Sequence, residues 1–239
     1  MHFLDPRSLP DVFEYLTANP NLFSVWGEPG VGKTTFCLTY AKSLIEAQGK
    51  VLMINTRRTN LGLIQRILAE CSPERQTSLV PLYVSSFKKL VEAIFRLKTQ
   101  MRQEQLLLPE NLYKLVIVDC ISELYLLELG SEKKNDMLTK QLNFLFATLK
   151  ELALSEGIPV LITNTSKRSR FEQGSADQCE RPFSHIVQHG GDYTLFWIKQ
   201  HIRLKRSSKL QQRKLHLIDE QLHRSVAFSI NLTPQGFQT

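Results

Sequence analysis

An eight-residue segment near the start of the chain has the residue types and spacing that bind the phosphates of a nucleotide. It matches the pattern G-x-x-x-x-G-K-[ST] at every fixed position and reads Gly27, Glu28, Pro29, Gly30, Val31, Gly32, Lys33 and Thr34. Glycines let the backbone curl so that N–H groups point at phosphate oxygens, and a following helix adds a dipole that favours anions. The pattern predicts that Lys33 reaches the β- and γ-phosphates and that the Thr34 hydroxyl holds Mg²⁺, with Thr35 beside them. We therefore expect ATP and Mg²⁺ as cofactors and Lys33 as a catalytic residue.

The clearest apolar run of the chain, residues 115–118, ends at an acidic residue, Asp119. A carboxylate at the carboxyl end of a buried parallel strand can orient the ligands of a magnesium ion, which is the Walker B pattern. We expect Asp119 to be a catalytic residue and to share the metal with Thr34. A capping aspartate after the strand is the alternative interpretation.

Hydrophobic periodicity places these residues at strand ends of an α/β fold. Short apolar runs predict strands at residues 22–26, 51–54, 82–84, 115–118 and 159–163. Apolar residues at helical spacing predict helices at residues 34–47, 61–71, 86–102 and 135–155. Because strands alternate with helices, we expect a mostly parallel twisted sheet flanked by helices.

The pattern changes after this alternating region. Residues 166–191 are polar with little regular hydrophobicity, which indicates a functional or disordered loop. Three further strands, expected to be antiparallel at the sheet edge, are predicted at residues 193–203, 213–218 and 225–230. No repeat or low-complexity linker interrupts the sequence, so we expect a single domain over residues 1–239, with residues 1–20 as an N-terminal extension.

The composition, with 42% hydrophobic and 22% charged residues, is that of an ordinary globular protein. The four cysteines form no C-x-x-C pair, so neither a zinc site nor a disulfide framework is indicated, and they fit a reducing compartment. No apolar run approaches the ~20 residues of a membrane span, and the N-terminus lacks the pattern of a secretory signal. We expect a cytoplasmic or nucleoid-associated protein with no membrane partner.

Positive charge is concentrated in one quarter of the chain. Residues 165–225 hold twelve Lys and Arg against six Asp and Glu, which gives an excess of six in a chain of net charge +7. Such a bias favours anionic partners, of which nucleic acid is the commonest. A solvated basic face is an equally good interpretation of the charge alone.

Several motifs together resemble the ATPase core of the RecA/RadA recombinase superfamily, and most of all its short archaeal paralogue, RadB. They are W-G-E at 26–28, V-I-V-D-C-I-S at 116–122, G-I-P-V-L-I-T-N at 157–164, H-G-G-D at 189–192 and V-A-F-S-I at 226–230. The resemblance covers residues 23–237. It implies a RecA-like fold, ATP binding, DNA binding and a part in homologous recombination and DNA repair. We expect no counterpart of the superfamily's N-terminal helical DNA-binding domain.

The resemblance also implies where DNA binds, with single-stranded DNA favoured. The loop after the Thr-Asn strand and the basic strand beyond it supply the candidates Lys167, Arg168, Arg170, Phe171, Arg181, Lys199, Arg203 and Lys205. Basic residues neutralise phosphates and an aromatic ring stacks on an exposed base. A simple structural role, in which Phe171 anchors the loop, is an equally good interpretation of that residue. The alternation of the basic strand places its cations on one face, with Ile202 and Leu204 inward, and this face suits an acidic protein as well.

Two departures from the family pattern bear on hydrolysis. Where the family has a glutamate after its second strand, this chain has Arg57, and where its Thr-Asn strand ends in glutamine, this chain has Thr165. A guanidinium does not act as a general base at neutral pH, and loss of a base costs on the order of 10²–10⁴-fold in rate. We expect ATP to be bound and hydrolysed slowly, if at all, unless Glu28, Glu123 or another acid substitutes.

Two other functional classes stay open. One is a signalling ATPase similar to KaiC, of the same superfamily. The other is an adaptor that holds ATP as a structural element and docks on a recombinase or a sister paralogue. Either would allow a homo- or hetero-oligomer.

Overall fold

The computed structural model describes residues 7–56, 61–107, 113–165, 198–219 and 224–238. Across these ranges the strands are β1 (Leu22–Gly27), β2 (Lys50–Asn55), β3 (Leu79–Tyr83), β4 (Tyr113–Asp119), β5 (Val160–Thr165), β6 (Gln200–Arg206), β7 (Gln212–Asp219), β8 (Arg224–Thr233) and β9 (Gly236–Gln238). The helices are α1 (Leu9–Ala18), α2 (Lys33–Glu46), α3 (Leu61–Leu68), α4 (Pro73–Gln76), α5 (Phe87–Leu107), α6 (Ile121–Glu128) and α7 (Glu132–Glu156).

In the described part of the chain the strands form one sheet in the order β3-β2-β4-β5-β1-β6-β7-β8-β9. The pairs from β3 to β6 are parallel, and those from β6 to β9 are antiparallel. This arrangement confirms the predicted α/β fold with antiparallel strands added at one edge. Since β5 lies between β1 and β4 and pairs in parallel with both, the carboxyl ends of these three strands lie side by side. α/β folds bind ligands outside the carboxyl ends of such strands.

Each face of the sheet is covered by its own hydrophobic core, which explains the continuous apolar runs of the parallel strands. In β4, Leu115 and Ile117 belong to the core shared with α1, α2 and α3. Val116 and Val118 belong to the core shared with α5, α6 and α7. The first core continues under the antiparallel strands, where both Ile202 and Leu204 of β6 are buried as predicted.

The N-terminal extension, to which the sequence analysis assigned no element, contains α1. The hydroxyl of Ser8 accepts a hydrogen bond from the amide of Asp11 at 3.4 Å, and the Asp11 carboxylate accepts one from the Ser8 amide at 2.9 Å. This reciprocal pair is a capping box, which starts a helix. Val12 and Leu16 then pack into the first core, so the extension is part of the folded core.

The other differences are three short elements that the sequence analysis did not predict, α4, α6 and β9, and shifts in the ends of the predicted elements. β6 spans Gln200–Arg206 and so overlaps the predicted strand 193–203, whose first five residues lie outside the described residues. β9 was not predicted, because three residues are too few to show a period. None of the helices in the described ranges combines the length and the apolar character needed to cross a membrane.

Candidate nucleotide-binding site

The P-loop connects the end of β1 to the start of α2, as the sequence predicted. Gly27 has φ 149°, and a Cβ there would lie 2.2 Å from the carbonyl oxygen of Leu204 on β6. Gly32, the N-cap of α2, has φ 106°, and a Cβ there would lie 2.8 Å from the ring of Phe237. Both positions therefore require glycine, since a side chain would strain the backbone and meet a packed neighbour. The loop has the curled form that cradles a phosphate.

The side chain of Lys33 folds back over the mouth of the loop. Its Nζ donates hydrogen bonds to the carbonyl oxygens of Gly27 and Glu28, each at 2.9 Å. The ammonium group is thus held beside the first residues of the P-loop, in the position from which a P-loop lysine reaches the terminal phosphates.

Asp119 lies at the end of β4, buried to 6% exposure, and is held from two sides. The hydroxyl of Thr34 donates to its Oδ2 at 2.9 Å, and the hydroxyl of Thr163, on the intervening strand β5, donates to its Oδ1. The structure therefore brings together the two residues predicted to hold Mg²⁺. Thr163 is an orienting residue that the sequence analysis did not assign, although it stands in the Thr-Asn motif.

These groups line a cleft of about 360 Å³ at the edge of the sheet. Its lining residues are Pro29, Gly30, Gly32, Lys33, Thr34, Thr35, Leu63, Asp119, Cys120, Thr163 and Leu232. Among them Asp119 is the one carboxylate. Within the described residues, no group of three or more His, Cys, Asp or Glu side chains could hold a metal ion. A magnesium ion here would depend on Thr34, Asp119, water and phosphate oxygens, which suits this hard cation.

Cys120, next to the candidate metal ligand, is not a reactive thiol. Its Sγ lies 3.0 Å from the hydroxyl of Ser122. Burial raises the pKa of the Cys120 thiol, so it stays protonated at neutral pH.

The end of β2, which precedes the position of the catalytic glutamate in the resembled family, is bonded to the strand that carries Asp119. The Thr56 amide donates to the carbonyl of Asp119 at 2.8 Å, and its hydroxyl accepts from the Cys120 amide at 3.1 Å. Arg57 lies outside the described residues, and so does the side chain of Thr165. Neither Glu28 nor Glu123 is among the residues that line the cleft.

The antiparallel strands contact the P-loop, which the sequence analysis did not anticipate. Arg206, at the end of β6, donates from Nη2 to the carbonyl of Pro29 at 3.0 Å. Arg213, at the start of β7, donates from Nε to the carbonyl of Val31 at 3.2 Å. The alternation of side chains along β6 could have distinguished Arg206 from the other cations. Arg206 comes two residues after the inward Leu204 and therefore lies on the same face of the strand as Leu204.

The candidate DNA-binding loop residues Lys167, Arg168, Arg170, Phe171 and Arg181 lie outside the described residues. On β6, Arg203 and Lys205 point away from the first core, and the Arg203 guanidinium lies 4.8 Å from the centre of the Trp26 ring. Lys199 precedes this strand. Burial lowers the pKa of Lys150 on α7, and the charge of Lys199 lowers it further.

Two residues of β7 extend this basic surface. His216 pairs with Arg203 and Lys214 pairs with Lys205, so all four side chains share one face of the sheet. Burial lowers the pKa of His216, and the charges of Lys205, Arg203 and Lys214 lower it further. We call Arg203, Lys205, Lys214 and His216 the outer basic face. The sequence analysis placed only the first two at a DNA interface.

Comparison with known proteins identifies the family. No family model matches the chain. It is 30% identical over 201 residues, 83% of each chain, to the DNA repair and recombination protein RadB of Methanocaldococcus jannaschii. Proteins of the same name from Methanococcus maripaludis and Archaeoglobus fulgidus are 28% and 33% identical, over 79% and 59% of this chain and 77% and 59% of theirs. These likenesses agree with the motifs and the RecA-like sheet, and the chain belongs to the RadB family of RecA/RadA recombinase paralogues.

Proposed function

We propose that this protein is an ATP-binding recombinase paralogue that binds DNA, assists homologous recombination and DNA repair, and hydrolyses ATP slowly. Its relatives bear the name of DNA repair and recombination proteins. The observation that carries the nucleotide part is the preformed cleft, in which Lys33, Thr34 and Asp119 are already held by hydrogen bonds.

The cleft supports binding of Mg·ATP in three ways. The P-loop amides and the start of α2 would receive the phosphates, and the Lys33 ammonium would neutralise their charge. Thr34 and Asp119 would hold the magnesium ion, which would supply positive charge to offset that of the phosphates. Little reorganisation is needed, because the residues that would bind are fixed by their own hydrogen bonds.

The same cleft supports slow hydrolysis. Asp119 is the one carboxylate among its lining residues, and both of its oxygens accept hydrogen bonds from hydroxyl groups. A carboxylate engaged in this way serves the metal rather than an attacking water. With no second acid among the described residues that line the cleft, we expect turnover on the order of 10²–10⁴-fold below that of a recombinase with its base.

The DNA part is supported by the outer basic face. Its three Lys and Arg residues are gathered by strand pairing onto one surface, around the weakly basic His216. Clustered cations bind the phosphate backbone without regard to sequence, and they do so in a salt-dependent way. The candidate DNA-binding residues of the loop at 166–188 lie outside the described residues and stay a prediction.

Three measurements on the wild-type protein test the proposal together. Titration calorimetry with ATP at millimolar Mg²⁺ is expected to give saturable binding, and ATP turnover is expected to be slow with or without single-stranded DNA. Anisotropy of a labelled single strand is expected to report binding that weakens steeply with salt. Absence of heat with Mg·ATP would refute the nucleotide part, and absence of DNA binding even at low salt would refute the DNA part.

The adaptor function is the second candidate, and it is favoured over a working ATPase because Asp119 is the one carboxylate among the lining residues that the structure describes. An adaptor would use bound ATP only to fix its structure for a recombinase or a sister paralogue. Complex formation that depends on ATP binding but proceeds equally with a non-hydrolysable analogue would support it. A complex that forms only during turnover would exclude it.

A further inference from the structure

Arg206 lies where a cation would meet the last phosphate of a bound nucleotide. Its Nη2 is 3.0 Å from the Pro29 carbonyl and would be 3.3 Å from a Cβ added at Gly30, a residue that lines the cleft. The Lys33 ammonium, which reaches the β- and γ-phosphates in such loops, is fixed between the carbonyls of Gly27 and Glu28. The adjoining Pro29 therefore belongs to the γ-phosphate end of the P-loop.

The contacts that hold Arg206 are easily exchanged. Its side chain is 59% exposed, and its Nε lies 3.9 Å from a carboxylate oxygen of Glu28, which is itself 39% exposed. An exposed ion pair at that separation is weak. A guanidinium prefers a phosphate, whose oxygens it binds through two parallel hydrogen bonds, over a distant carboxylate and one carbonyl.

Arg213 shows the opposite arrangement on the neighbouring strand. Its guanidinium donates to three carbonyls, those of Val31, Leu210 and Gln212. It is therefore fixed as a strut between the P-loop and the β6–β7 hairpin. Burial lowers the pKa of Arg213 and the charge of Arg206 lowers it further. An anion beside them would relieve this repulsion.

We propose that Arg206 determines the preference of this site for a nucleoside triphosphate over a diphosphate, by exchanging Glu28 and the Pro29 carbonyl for the γ-phosphate. The inference rests on the proposed binding of Mg·ATP. It assigns Arg206 to its own subunit's nucleotide and gives Glu28 the role of a competing partner that holds the guanidinium when no γ-phosphate is present. Arg206 is a specificity-determining residue, and the inference requires no hydrolysis.

The test compares the dissociation constants of ATP and ADP, both with Mg²⁺, for the wild type and four variants. Arg206→Ala is expected to weaken ATP about tenfold to a hundredfold, the value of a hydrogen bond to a charged group, and to leave ADP within about threefold. Arg206→Lys keeps the charge but loses the bidentate geometry, so its ATP affinity is expected to lie between those of the wild type and Arg206→Ala. Glu28→Gln, which removes the competitor, is expected to tighten ATP alone by a few fold.

Arg213→Lys is the matched control, because it alters the strut and not the exchangeable cation. It is expected to affect ATP and ADP by the same factor. Equal losses for ATP and ADP in Arg206→Ala would overturn the inference while leaving nucleotide binding intact. If the wild type binds neither nucleotide, the proposed function itself is refuted. Recovery of ATP binding on mixing Arg206→Ala with Lys33→Ala protein would show that the guanidinium acts between subunits, and would also overturn the assignment.

Discussion

The two faces of β6 carry cations with different surroundings. On the face towards α2, Arg206 follows the buried Ile202 and Leu204 in register and contacts the P-loop carbonyl of Pro29. On the other face, Arg203 lies against the Trp26 ring, and Lys205 stands opposite another lysine, Lys214. The first cation contacts the P-loop, and the others are gathered on the opposite face of the strand. Neighbouring charges on one strand therefore have different surroundings, which a count of basic residues cannot reveal.

If the two faces of β6 are functionally separate, removal of the Lys33 ammonium is expected to affect nucleotide binding and not DNA binding. Lys33→Ala is expected to weaken Mg·ATP by a hundredfold or more, because a charge-assisted contact to the β- and γ-phosphates is lost. Affinity for single-stranded DNA, measured by anisotropy without nucleotide, is expected to stay unchanged. A parallel loss of DNA binding would show that the faces are one site.

The reciprocal change removes two cations from the outer basic face. The double variant Arg203→Ala, Lys205→Ala is expected to weaken DNA binding by roughly tenfold or more and to reduce the slope of log affinity against log salt by about two. Nucleotide affinity is expected to be unaffected.

Lys209→Ala is the control for charge alone, since Lys209 lies in the exposed β6–β7 turn and off this face. It is expected to change the DNA affinity less than either single substitution on the face. An equal effect would mean that DNA responds to net charge and not to the outer basic face.

Gly27→Ala tests the close contact between β1 and β6, the strand that carries both sets of cations. The added Cβ would meet the Leu204 carbonyl at 2.2 Å, so β1 and β6 must separate locally. We expect a loss of about 1–3 kcal/mol in the free energy of unfolding, measured by denaturant titration, with weaker ATP binding. Gly62→Ala, which would meet nothing within 4 Å, is the control. Unchanged stability in Gly27→Ala would show that the contact is not close in solution.

The smallest expected effect concerns pH and His216. Because burial and three neighbouring cations lower its pKa in the folded protein, the unfolded chain binds the proton more readily. The stability from neutral His216 is therefore complete above its ordinary pKa of about 6.5 and declines as pH falls through the lowered value. We expect the melting temperature to fall less between pH 7.5 and pH 5 in His216→Gln than in the wild type. Equal decreases in melting temperature in the two proteins would contradict the interaction of His216 with these cations.

Local patterns anticipated most of the parallel half of the sheet. The P-loop and the strand that ends at Asp119 can each be recognised in a short segment of the sequence. The alternation of strands with helices follows from the hydrophobic periodicity of such segments. The capping box at Ser8 and Asp11 was an equally local signal for α1 that the analysis did not use. β9 and the start of β6 could not be found in this way, because short or irregular segments have no period.

The sequence by itself determined which groups can bind a triphosphate, because the spacing of glycines, one lysine and one threonine fixes where amides and cations point. Only the tertiary structure decided how those groups are supported. Thr163 reaches Asp119 because β5 lies between β1 and β4, and Arg206 reaches Pro29 across 177 positions of the chain because β6 pairs with β1. Such contacts depend on strand order, and strand order is set by the packing of the whole sheet and leaves no mark on any single segment.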